Sequence, residues 1–281
     1  MPIDSPDKSD SNSESGRTVH FPTNFPFTQA LDDYCAQPNT DWLYALVDSQ
    51  LDVEQVQALK AAVGAEALFC RYPMVDEETE QLTAQWVILG QEGQLYESRL
   101  LALHDYLLQR DQLNAPYCVV SIVQSSLKPV FLQTHTHSCS RYSVKGEEAG
   151  MPIPLEWPSH LCAFFAVLTP GQQAGFLLDI ARWHVQDEHK RLLVLSAPDL
   201  SPERGPYPLD DPQSLALERR LLPQLLVCQL LARLPQQVPP ELKRADLLRV
   251  ANAVIDELGQ RTLPALLVQT FAARLNSRMP A

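Results

Sequence analysis

Residues 134–139 read Thr-His-Thr-His-Ser-Cys, which puts two imidazoles and a thiol within six positions. As a strand, the stretch would turn His135, His137 and Cys139 to one side, a facet of zinc-binding donor types. As a helix, it would leave only His135 and Cys139 on a shared face. Zinc also needs a further ligand and an outer layer of hydrogen bonds, and no neighbouring motif supplies either. The plainer reading is a polar stretch at the end of an element. A second candidate is His-Val-Gln-Asp-Glu-His at 184–189, where His184 and Glu188 would stand one helical turn apart. It lacks the second histidine that completes a His-Glu-x-x-His metal site. Taken as chemistry, these stretches give a metal-dependent hydrolase using His135, His137 and Cys139, with His184 as a further donor.

Other reactive patterns are weaker. Asp76-Glu77-Glu78 with Glu80 offers paired carboxylates, but like charges between two apolar runs read as a solvated loop. No Gly-x-Ser-x-Gly elbow and no capped Ser-x-x-Lys is present. Neither phosphate-cradling glycine loop occurs. Ten glycines in 281 residues is few for a chain that wraps backbone around a cofactor. Taken alone, these residues show no catalytic constellation and no metal or cofactor site.

The elements that would position them alternate in type. Residues 1–20 are rich in serine and aspartate and read as a disordered tail. WLYALVD (42–48) is a strand. LDVEQVQALKAAVG (51–64) is an amphipathic helix on Val53, Val56, Leu59 and Val63. ALFCRY (67–72) and AQWVIL (84–89) read as strands, SRLLALHDYLLQRD (98–111) as a helix, and YCVVSIV (117–123) as a strand buried on both faces. The alternation predicts an α/β lobe with a small mixed or parallel sheet over 21–159. Over 160–281 an all-helical C-terminal lobe is expected. Thr169 caps and Pro170 opens a helix that continues through GFLLDIARWHV. RLLVLSAP (191–198) reads as one further strand, and a proline-rich linker follows at about 197–211. Asp211-Pro212, Pro239-Pro240 and Thr262 then open three more helices, with no strand signal after 200.

Composition narrows the partners. With 34 acidic and 22 basic residues the chain carries −12, a sign that repels phosphate backbones and makes nucleic acid an unexpected partner. The first residues show no secretory pattern, and no apolar run approaches the roughly 18–20 residues that span a bilayer. A cytoplasmic chain without membrane insertion is expected. The six cysteines include no Cys-x-x-Cys pair, and four lie in apolar runs, so disulfides are not implied. LLPQLLVCQLLARL and LPALLVQTF supply broader apolar stripes than one helix face needs, which leaves either mutual packing or a groove for an amphipathic partner.

The order WLYALVDSQLD, ALFCRY, QWVIL, a leucine-rich helix and YCVVSIVQSSLKPV resembles the type VI secretion effector chaperones, a family catalogued as a domain of unknown function. Leu43 to Asp48 match its opening strand, and Val119 to Leu127 its apolar strand with a serine-rich helix start. WPSHLCAFFAVLTPGQQAGFLLDIARW looks like the family segment leading into the variable helical part. The resemblance covers about residues 42–185. Where many members carry an Arg-Phe-Tyr-Asp-Pro-like stretch, this chain has Pro154-Leu155-Glu156-Trp157-Pro158-Ser159, and KGEEAGMPIP replaces the glycine-rich turn before it. The resemblance implies a cytoplasmic adaptor, not an enzyme, that binds a cognate secreted effector toxin and helps load it onto a VgrG-type spike protein. It also implies that 134–139 is scaffold. For client contact the expected residues are aromatic ones near the lobe junction: Trp157, Phe164, Phe165 and Trp183.

Overall fold

The computed structural model describes residues 26–36, 41–47, 53–71, 84–112, 120–144, 151–186, 191–233, 242, 244–258 and 264–277. The expected tail at 1–20, the acidic run at 76–80 and residues 187–190 lie outside them.

Six strands form the main sheet in the order β2 (Leu68–Cys70), β3 (Gln85–Gln91), β1 (Trp42–Val47), β5 (Val120–Ser125), β8 (Ile180–Gln186) and β9 (Leu192–Leu195). A seventh, β4 (Gln94–Leu95), returns on β3 through Glu92-Gly93. Both turn residues hold positive φ, 53° and 76°, as a two-residue hairpin loop with the strands' own twist requires. Every pairing in this sheet is antiparallel, which corrects the expected mixed or parallel arrangement. The apolar runs that suggested parallel strands have another cause: both faces of the sheet are covered. Tyr44, Leu46, Trp86, Ile88 and Val123 face one core, while Leu43, Ala45, Val47, Val87 and Ile122 face the other.

Helices α1 (Thr28–Ala36), α2 (Val53–Val63) and α3 (Glu97–Gln112) supply the second core with Leu31, Tyr34, Leu59, Val63, Leu100 and Leu103. Against the first lie α4 (Pro129–Cys139), α5 (Pro158–Val167) and α6 (Pro170–Phe176), joined by Leu155 and Tyr207. Tyr207 belongs to a small second sheet in which β6 (Arg141–Val144) pairs parallel with β10 (Tyr207–Leu209) and antiparallel with β7 (Met151–Pro152).

The stretch from 160 onward contributes strands before it becomes helical. The predicted cap of α6 is present: Thr169 Oγ1 accepts from the Gln172 amide at 3.2 Å, and Gln172 Oε1 accepts from the Thr169 amide at 2.9 Å. The helix ends at Phe176, however, and does not run through Val185. Asp179 takes φ 60°, a left-handed turn that aspartate tolerates, and β8 begins. The register slips where Gln124 faces Arg182 but Ser125 faces Ile180. This bulge puts Ile180, Trp183 and Val185 on one face, a spacing that imitates a helix. β10 is likewise a strand beyond residue 200. The proline-rich stretch before it is packed, since Glu203 N donates to Gly171 O at 2.9 Å.

From residue 211 the described elements are helices. α7 (Asp211–Arg233) is capped through Asp210, whose Oδ1 accepts from the Gln213 amide at 2.8 Å. Its first half packs Leu217 and Leu221 on the sheet-side core. Its second half joins α8 (Arg244–Leu258) and α9 (Pro264–Ser277) in a third core of Leu226, Val227, Leu230, Leu247, Val254 and Phe271. Pro223 sits inside the helix, just past the change of core between Leu221 and Leu222. Among the described residues no helix is long and apolar enough to cross a membrane.

Candidate functional site

Thr-His-Thr-His-Ser-Cys forms the last turns of α4, so the helical alternative applies. His135 Nε2 lies 3.0 Å from the Phe176 carbonyl. A carbonyl only accepts, so Nε2 carries the proton. Burial lowers the His135 pKa, and that hydrogen bond partly opposes it. His137 is turned toward Arg141, with Nη1 3.4 Å from its Nε2; burial and the charges of Arg141 and Arg71 lower its pKa. The Cys139 thiol is enclosed, and burial pushes its pKa up to about 12, which keeps it a poor ligand and nucleophile near neutrality. His184 is on β8, buried and directly opposite Ile122 and Val194. Desolvation lowers its pKa too, with Arg182 adding to the effect. Among the described residues no group of three or more His, Cys, Asp or Glu side chains is placed to hold a metal ion.

The aromatic candidates do converge, but inside the molecule. Phe164 on α5 and Trp183 on β8 are fully buried, and Phe165 and Trp157 are half-buried. Phe176 joins three of them. It stacks on Trp183 at 5.7 Å and 24°, and meets Phe164 and Phe165 edge-on at 6.1 and 5.8 Å. Trp183 continues to Trp86 at 6.0 Å. Such offset and edge contacts add to area burial in holding a core. Trp157 stands apart at the start of α5, edge-on to His160 at 4.9 Å. Sequence periodicity hides Phe176, which falls in a stretch that reads as continuous helix.

Comparison of the chain with protein-family models, curated proteins and solved structures finds no match.

One buried polar contact gives the site its frame. Arg71, just after β2, places Nη1 2.6 Å from Glu156 Oε2 and donates Nη2 to the Ile153 carbonyl at 2.9 Å. Both side chains are withdrawn from water, at 0% and 1% exposure. The link ties the end of β2 to the turn that enters α5. The exposed apolar groups lie elsewhere. Val130 and Phe131, in the first turn of α4, are 68% and 62% exposed. Leu215 and Leu225 on α7 and Leu193 and Val194 on β9 are also in water.

Proposed function

We propose that this chain is a non-enzymatic adaptor that binds a secreted effector through exposed apolar side chains and helps deliver it to a secretion spike. The observation that carries the reading is the pair Val130-Phe131. Two large apolar side chains stand in water at the start of a helix whose remainder is anchored by Leu132, Thr136 and Cys139. A rigid helix that presents a valine and a phenylalanine to solvent suits capture of a partner's apolar segment. The resemblance over residues 42–185 supports the same class. Phe164 and Trp183 then serve as scaffold that stiffens the presenting face, because neither has surface to offer. Trp157 and Phe165 keep part of theirs.

The reading expects a toxin gene beside this one, and the test is co-expression of the two. The toxin is expected to co-purify with this chain, to lose solubility without it, and to be retained poorly by Phe131→Asp at an unchanged thermal midpoint. Full toxin yield and delivery in a strain lacking this chain would reject the reading.

A further inference from the structure

The two edges of the main sheet are finished differently. β2 closes one side after three residues, and the Gln133 amide on α4 donates to the Cys70 carbonyl at 2.8 Å, covering that edge. β9 closes the other side. Its run Leu-Leu-Val-Leu sets Leu193 and Leu195 opposite Val185 and Trp183 on one face, and Leu192 and Val194 opposite Gln186 and His184 on the other. Edge strands that must remain unpaired usually carry lysine, proline, a bulge or a cover. β9 has a regular ladder to β8, and its two middle residues are aliphatic and 36% and 50% exposed, one on each face. Apolar residues on both faces are the pattern of a strand covered on both faces, yet Leu193 and Val194 remain partly in water beside an edge. Among the described residues no strand pairs with the outer edge of β9.

We infer that β9 is a docking edge for an extended segment of the client, which adds a strand to the sheet and carries lysine or arginine at its flanks. The inference rests on the adaptor reading and specifies its partner. Main-chain hydrogen bonds to β9 would hold any extended peptide, and Leu193 and Val194 would select apolar residues on both of its faces. Charge decides between occupants. A second copy would bring two bodies of −12 together, whereas a basic segment is drawn in. On the Val194 side α1, held to the adjoining strand by Asp33 and Arg182 at 2.9 Å, carries Asp32 in water.

The probe is a synthetic peptide of alternating valine and threonine with two lysines at each end, added to the full chain. Fluorescence anisotropy reads binding, and amide hydrogen exchange reads its place. The peptide is expected to bind and to slow exchange in residues 192–195. Affinity is expected to fall about tenfold when glutamates replace its lysines, and binding to vanish when alternate peptide amides are N-methylated. Val194→Lys, at an exposed position that should leave the thermal midpoint unchanged, is expected to weaken binding by about tenfold as well. The N-methylated peptide tests the idea on the unaltered chain even if that variant folds poorly. Protection elsewhere, no binding, indifference to Val194→Lys or to peptide charge, or a dimer that forms without peptide and is lost in Val194→Lys would each overturn the inference. The peptide can fail while the toxin still co-purifies, and it can bind while toxin delivery proceeds without this chain, so the two failures are distinguishable.

Discussion

At the scale of single residues the Arg71–Glu156 pair is sensitive to the loss of either partner. A guanidinium and a carboxylate at 2.6 Å, both out of water, are held by mutual attraction against a large desolvation cost. Removing one partner strands the other charge. Glu156→Gln is expected to lower stability by roughly 3–5 kcal/mol, read as a fall in the urea midpoint. Replacing both partners with apolar residues, Arg71→Met with Glu156→Leu, is expected to recover most of that loss. The pair was illegible in the sequence, because its members lie 85 positions apart in a short strand and a proline-flanked turn. The histidines give a second expectation. His135, His137 and His184 all have pKa values lowered in the fold, chiefly by burial. The unfolded chain therefore takes up protons that the folded chain refuses. Their contribution is intact above about pH 6.5, the ordinary histidine value, and is lost as pH falls through the lowered values. Denaturation midpoints measured from pH 7.5 to 5.5 are expected to fall, with a shallower slope in His135→Gln, whose amide can still donate to the Phe176 carbonyl.

At the scale of elements, Gly175 on α6 meets the chain between β9 and β10. A Cβ there would lie 1.6 Å from the Glu203 carbonyl oxygen, so either the helix or that stretch would have to move. Gly175→Ala is expected to cost roughly 1–3 kcal/mol or more by overpacking, seen as a lower thermal midpoint. Nothing in SAPDLSPERGPYPLDDP announces this packing. Its prolines read as a spacer, and the glycine that receives it lies upstream in an unrelated run. Local chemistry was more informative. The Thr169–Gln172 box and the strand Trp42–Val47 follow from residues within one turn or one run of each other. β8 was lost because its bulge moves Ile180 into register with Trp183 and Val185, and sequence periodicity has no marker for a slip imposed by the neighbouring strand. The candidate site fared likewise. The helical alternative for 134–139 named His135 and Cys139 as sharing a face, but their burial depends on α6 and β10, which local spacing does not report.

At the scale of the molecule, α7 belongs to two cores. Leu217 and Leu221 pack with the sheet, Leu226 and Leu230 with α8 and α9, and Pro223 stands between. A proline inside a helix supplies no amide for the carbonyl four residues earlier, so the helix is weakest at this crossing. Separate cores joined at a weak point favour separate opening. Native-state hydrogen exchange is expected to show α8 and α9 opening as one group at lower free energy than β1 and β5. A single opening energy for all amides would mean one cooperative unit. The order of strands has its own result for how the chain is made. Ser121 on β5 pairs with Val185 on β8, so the middle of the sheet is sealed by residues synthesised long after its first strands. Until Ile180–Gln186 emerges from the ribosome, the flank of β5 is an open template. Pairing across so long a span slows folding, and the nascent chain must cross that interval with this edge uncovered.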